Sequence, residues 1–156
     1  MNNKETEENW EVFEGAVSGE RKEIIQKIVS FFIRFGDFFN SDAKKAIFLE
    51  GVLTQKLLNI QYQERNTTPF RIKLKGLNLD ERQVKKLLPE IQNKLEEYEK
   101  NYYRTLESII SKYFVSAGDG WEISSDKISF YFVLGMNLSY IFKAKKENSN
   151  GGKENE

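Results

Sequence analysis

Apolar residues recur at steps of three and four along most of the chain, the spacing that places side chains on one face of an α-helix. The pattern predicts five helices, over about residues 21–39, 43–62, 79–88, 89–114 and 127–142. Capping residues mark three of the starts, at Ser41-Asp42, Asn78-Leu-Asp-Glu81 and Ser124-Ser125-Asp126. The fourth helix would be nearly 40 Å long at about 1.5 Å per residue. The last is apolar almost all round, which favours the centre of a helical bundle.

One segment between the second and third helices has a different period. Phe70-Arg-Ile-Lys-Leu-Lys75 alternates apolar and basic residues, as extended backbone does. Because no other strand is predicted to pair with it, we expect an extended basic connection rather than a sheet. The fold class is therefore all-α, a compact bundle of about five helices at residues 21–143, between a flexible acidic lead-in (1–20) and a disordered polar tail (144–156).

Three glycines fall inside predicted helices, where glycine costs about 0.5–1 kcal/mol relative to alanine. We expect Gly36, Gly51 and Gly135 to permit close approach between packed helices. For Gly51 an alternative is close approach of its backbone to a nucleic-acid phosphate.

Composition narrows the possible chemistry. The 156 residues include no cysteine and no histidine, which excludes disulfides, imidazole-dependent catalysis and cysteine- or histidine-ligated zinc. Phosphate-binding glycine loops are also absent. The tight acidic group Glu96, Glu97 and Glu99 fits a solvated helix face better than a Mg²⁺ site, because no second acidic cluster converges on it. We expect no enzyme, no cofactor and no metal.

The same sequence gives an expectation for location. No apolar run reaches the roughly 18 residues that a membrane span needs, and no signal peptide is visible. The absence of cysteine fits a reducing compartment. We therefore expect a cytoplasmic protein that binds no membrane.

The net charge of zero conceals an uneven distribution. Residues 1–20 carry a net charge of −5 and residues 21–143 a net charge of +5. The window 65–86 holds seven basic and two acidic residues and so accounts for the whole excess. Such a cluster is typical of a polyanion contact, although a solvated loop and helix face would have the same composition.

Four blocks of sequence resemble a known family in order and spacing. The runs Ala46–Gln61, Phe70–Asp80, Leu87–Tyr98 and Trp121–Met136 look like the C-terminal region of the type I-B CRISPR large subunit. The resemblance covers about residues 25–142. In that family the region is a helical bundle equivalent to the small subunit of Cascade, and it can be produced separately by internal translation initiation; a designed truncation would have the same extent.

The resemblance implies a non-catalytic small subunit of a type I-B CRISPR surveillance complex. Its partners would be crRNA, target DNA, the backbone subunits, the large subunit and neighbouring copies of itself. It would support the crRNA–target heteroduplex and the displaced DNA strand. Since base pairing reads the sequence in such complexes, the protein needs only cations that hold nucleic-acid backbones.

No contact motif comes with the resemblance, so the candidate residues follow from charge placement alone. The predicted nucleic-acid contacts are Lys44, Lys45, Lys56, Arg65, Arg71, Lys73, Lys75, Arg82, Lys85 and Lys86. Second choices on the long predicted helix are Lys94, Arg104 and Lys112. The alternative hypothesis is a scaffold module that docks only to protein partners.

Overall fold

The computed structural model describes residues 19–64, 79–98 and 103–143. They form five α-helices without a strand, which confirms the predicted all-α bundle. The helices are α1 (Gly19–Arg34), α2 (Asp42–Glu64), α3 (Glu81–Glu97), α4 (Arg104–Ala117) and α5 (Ser125–Asn137), followed by a short 3-10 helix (Ser139–Phe142). Residues 1–18, the predicted extended connection Phe70–Lys75 and the tail 144–156 lie outside the described residues.

Helix α2 is the centre of the bundle. Every residue from Lys45 to Thr54 is buried, and α3, α4, α5 and the 3-10 helix all pack against α2. The expectation that the last helix is central is wrong, because α5 leaves 52% of Phe130 and 48% of Val133 exposed. An apolar pattern around a whole helix does not distinguish complete burial from an apolar face that the chain leaves uncovered.

Helices α2 and α5 cross at a pair of glycines. A Cβ atom on Gly51 would lie 2.9 Å from the carbonyl carbon of Phe132, and one on Gly135 would lie 2.9 Å from the carbonyl carbon of Phe48. The packing role predicted for these two glycines is therefore confirmed, and α5 covers the backbone of Gly51 that a phosphate would have to approach. The expectation for Gly36 is wrong, since it lies in the turn after α1 and a Cβ there would meet nothing closer than 3.5 Å.

The first helix ends earlier than its apolar pattern predicts. It ends at Arg34, and the amides of Phe38 and Phe39 donate to the carbonyl oxygen of Phe35 in a turn. Phe39 is buried against Phe48, with ring centroids 4.8 Å apart. Phe35 and Phe38 remain 42% and 40% exposed, so the broad apolar stripe is only partly covered.

The long fourth helix predicted from Pro89 to about Phe114 is wrong. Helix α3 runs through Pro89 and ends at Glu97, where the amide of Tyr98 bonds back to carbonyl oxygens of the last turn. Helix α4 then begins at Arg104. The apolar period is the same on both sides of this break, so it does not mark the point where the chain leaves the helix. Pro89 is tolerated inside α3 because it lies on an exposed face, where water can reach the carbonyl that its missing N–H leaves unpaired.

Candidate nucleic-acid interface

The exposed cations Arg82 and Lys86 lie on one face of α3. The helix begins at Glu81 rather than after Asn78, and its N-cap is Asp80, whose carboxylate accepts from the amide of Gln83 at 2.9 Å. The opposite face of α3 carries the buried residues Val84, Leu87, Leu88, Ile91 and Leu95. This apolar face fixes the rotation of the helix, and residues four apart then point to solvent together.

Lys85, on the same helix, is held by acidic partners. Its ammonium donates to the carboxylates of Glu81 at 2.9 Å and Asp119 at 2.5 Å, and to the carbonyl of Gly118 at 3.0 Å. The ammonium also lies 4.9 Å from the centre of the Trp121 ring. The bonds to Asp119 and Glu81 raise the pKa of Lys85, and the bond from Lys85 lowers the pKa of Asp119. The charge of Lys85 is therefore compensated within the protein.

Glu81 also joins α3 to the loop before α5. Its carboxylate accepts from the amides of Gly120 at 3.0 Å and Trp121 at 2.7 Å. Burial acts to raise the pKa of Glu81, but the bonds from Lys85, Trp121 and Gly120 lower it overall. The sequence pattern around Glu81 does not indicate this role. The one sequence signal for it is the Gly118-Asp-Gly120 segment, whose glycines are typical of a turn.

The three candidates on α2 have different surroundings. Lys44 is half-buried and donates to Asn40 Oδ1 at 2.8 Å. Lys45 is 9% exposed, beside the rings of Phe32 and Tyr113.

Lys56 is 2% exposed, and its ammonium donates to the carbonyl of Ser139 at 3.4 Å. It also lies 5.8 Å from the ring centre of Tyr103. Lys56 therefore lies inside the bundle rather than on its solvent-facing side. Packing around α2 encloses Lys56. Lys45 lines a cavity of about 830 Å³ beside the turn that follows α1, but its side chain is nearly buried there and its ammonium lies 3.9 Å from the carboxylate of Asp42.

The remaining four primary candidates, Arg65, Arg71, Lys73 and Lys75, lie outside the described residues. Among the second choices, Arg104 and Lys112 are exposed on α4 and Lys94 is half-buried on α3. A polar groove of about 650 Å³ between α3 and α4 contains Arg104 and Lys112 together with Glu96 and Glu107. Burial raises the pKa of Glu107. The mixed charges make this groove a weaker anion site than the exposed face of α3.

The described parts of the chain contain no group of three or more acidic, histidine or cysteine residues arranged to hold a metal ion. None of the helices found there combines the length and apolar character that a membrane crossing requires.

Comparison with known proteins gives one result. A family model described as the C-terminal domain of CRISPR-associated protein TM1802 (cas_TM1802) matches residues 3–150. The searches of curated proteins and of solved structures return no match. The family match covers nearly the whole chain and agrees with the resemblance to the C-terminal region of the type I-B large subunit. The chain therefore belongs to the family of CRISPR-associated TM1802 C-terminal domains.

Proposed function

We propose that this domain acts as a non-catalytic small subunit of a type I-B CRISPR surveillance complex. It binds the backbones of the crRNA–target DNA heteroduplex and of the displaced strand. Its partners are the backbone subunits, the large subunit and neighbouring copies of the domain. Membership of a CRISPR-associated family supports a role in a CRISPR complex. The distribution of charge supports contact with nucleic acid.

The observation that carries the proposal is the place of the unbalanced positive charge. The described residues contain 15 basic and 15 acidic residues, whereas residues 65–78 contain four basic residues and no acidic one. This connection leads directly to the start of α3, where Arg82 and Lys86 are exposed. We propose that these cations act together in binding, and we call the set the basic face: Arg65, Arg71, Lys73, Lys75, Arg82 and Lys86.

The buried cations do not belong to the basic face. Lys45 and Lys56 are buried, and Lys85 is paired with two carboxylates. Lys44 is half-buried, so we propose that it makes only a small contribution to nucleic-acid binding. Contacts made by the basic face alone would release counterions without reading bases, so binding by the isolated domain should be weak, independent of sequence and steeply dependent on salt.

Removing the two described members of the basic face is expected to weaken binding. In Arg82→Ala/Lys86→Ala, the slope of log affinity for single-stranded DNA against log salt should flatten by up to about 1.4, because each phosphate contact on a single strand contributes about 0.7. The matched control is Lys27→Ala/Lys143→Ala, which removes two charges near α1, where Lys27 donates to the carbonyl of Lys143 at 3.3 Å. Equal slopes for the two double variants would remove α3 from the interface.

The connection itself can be tested in the assembled complex. Replacing Arg71, Lys73 and Lys75 together with alanine should reduce DNA retention and flatten the salt slope by up to about 3 log units per log unit of salt. Retention is measured on crRNA-loaded complex over a salt series. An unchanged slope would remove this segment from the basic face.

The scaffold alternative and an enzymatic role make different predictions. A module that docks only to proteins would not bind single-stranded DNA at low salt, yet would still co-purify with crRNA-loaded backbone subunits in the presence of the full-length large subunit. Nuclease activity abolished by EDTA would contradict the non-catalytic assignment.

A further inference from the structure

The cavity beside the turn that follows α1 has a strongly aromatic lining. Its volume is about 830 Å³, and the residues that line it include Phe32, Phe35, Phe38, Phe39 and Tyr113. Phe35 and Phe38 are 42% and 40% exposed, so a ligand in solution can reach their rings. Cavities of this size with aromatic walls and a few polar groups are typical of sites for small organic ligands.

The charged residues of this cavity balance one another. Arg34 and Lys45 supply two positive charges, and Asp37 and Asp42 supply two negative charges. A run of phosphates would gain little here, because repulsion by the carboxylates offsets attraction by the cations. The lining is better matched to a neutral aromatic ligand.

Lys45 places a hydrogen-bond donor in the cavity. Its residue is 9% exposed, and its ammonium lies 5.8 Å from the ring centre of Phe32 and 5.6 Å from that of Tyr113. Within the described residues the ammonium has a carboxylate oxygen of Asp42 at 3.9 Å and donates no hydrogen bond. Because an ammonium carries three N–H donors, it is able to donate to an acceptor on a ligand.

The turn that carries Phe35 and Phe38 is anchored on both sides. The hydroxyl of Tyr131 on α5 donates to the carbonyl of Phe38 at 2.7 Å. Phe39 is buried on the other side, with its ring centre 5.1 Å from that of Phe32. Side chains that are held in place before binding lose less entropy when a ligand packs against them.

We propose that this cavity binds an unpaired base of single-stranded nucleic acid. The base packs against the rings of Phe35 and Phe38, and a carbonyl oxygen of the base accepts from the Lys45 ammonium. The exposed side chain of Arg34 contacts the phosphate of the same nucleotide. This inference rests on the proposed function, since the domain must bind single strands, and it adds a contact with bases that the basic face does not make.

Two oligonucleotides of equal length and charge test the inference on the full chain. One is a thymidine oligomer, and the other is an abasic oligomer with the same number of phosphates. The thymidine oligomer should bind at least about fivefold more tightly, because stacking of one base on an aromatic side chain contributes at least that factor. The ratio of the two affinities should stay constant over a salt series, since both oligomers release the same counterions.

Variants of the cavity locate the base contact. Phe35→Leu/Phe38→Leu keeps apolar side chains on the turn but removes the flat rings, so the ratio should fall to about 1. Lys45→Met removes the donor and should lower the ratio, because the base loses a charged hydrogen-bond partner. The control is Tyr140→Leu, which removes a ring that is 68% exposed and lies outside the cavity lining. It should leave the ratio unchanged.

The outcomes distinguish this inference from the proposed function. Equal affinity of the parent protein for the two oligomers would overturn base binding and leave backbone binding by the basic face intact. Failure to bind either oligomer would overturn both. A fall in the ratio for Tyr140→Leu equal to that for Phe35→Leu/Phe38→Leu would overturn the assignment to this cavity. Circular dichroism checks that each variant keeps the bundle, and Phe35→Leu alone replaces the double variant if that protein loses helix.

Discussion

Gly51→Ala is expected to destabilise the domain by about 3 kcal/mol or more, at the upper end of the range for an overpacked core. The added Cβ would overlap the carbonyl group of Phe132, and this neighbour is helix backbone that no rotamer change can move aside. Alanine is intrinsically better than glycine inside a helix by up to about 1 kcal/mol. A net loss of stability would therefore mean that the clash between α2 and α5 outweighs the better helix propensity of alanine.

Gly135→Ala should have an effect of the same size, since its Cβ would meet the Phe48 carbonyl from the other side of the crossing. The double variant should be less destabilising than the sum of the two single variants, because both force the same two helices apart. Gly36→Ala is the control, since its Cβ would make only ordinary contacts at 3.5 Å. Free energies of unfolding from denaturant titration measure all four variants. A loss at Gly36 equal to that at Gly51 would contradict this account of the crossing.

Glu50→Met is expected to stabilise the domain. Glu50 is 0% exposed in the middle of α2, and within the described structure neither carboxylate oxygen has a hydrogen-bond donor. Leaving such a group unpaired costs about 1–3 kcal/mol, and methionine has a similar shape without the polar oxygens. The free energy of unfolding at neutral pH should rise by about that amount.

The dependence on pH identifies the carboxyl group as the cause. Burial raises the pKa of Glu50 well above its ordinary value. At pH values between the unfolded-state and the folded-state pKa of Glu50, the native protein binds up to one proton more than the unfolded protein. The free energy of unfolding of the parent protein is therefore largest at low pH and falls as the pH rises through this window. The limiting slope is about 1.4 kcal/mol per pH unit. The stability difference between Glu50→Met and the parent should therefore widen with pH.

Glu81 and Asp119 have lowered pKa values and act in the opposite direction, but both proteins contain them and they cancel in the difference. The matched control is Glu97→Met, at an exposed position on α3, which should leave the pH profile unchanged. Parallel profiles for Glu50→Met and the parent would show that the Glu50 carboxyl does not titrate differently in the two states.

The helical class and most of the helix starts could be predicted from local sequence patterns. Apolar periods are local, and capping depends on neighbours within one turn, so Ser124 caps α5 as predicted by accepting from the amide of Lys127. The glycine crossing was also predictable at Gly51 and Gly135, because glycine inside a helix has a cost that close packing can offset. The family relationship was likewise visible in four blocks of sequence.

Which charges face solvent could not be predicted from local patterns, because it depends on how the helices pack. Lys45, Lys56 and Lys85 look the same in sequence as Arg82 and Lys86, yet the first two are buried and the third meets Asp119, 34 positions away. Which helix is central, and where α3 turns into α4, also depended on contacts between distant segments. Local patterns record what a residue prefers, whereas burial and pairing depend on the neighbours that the whole fold brings to it.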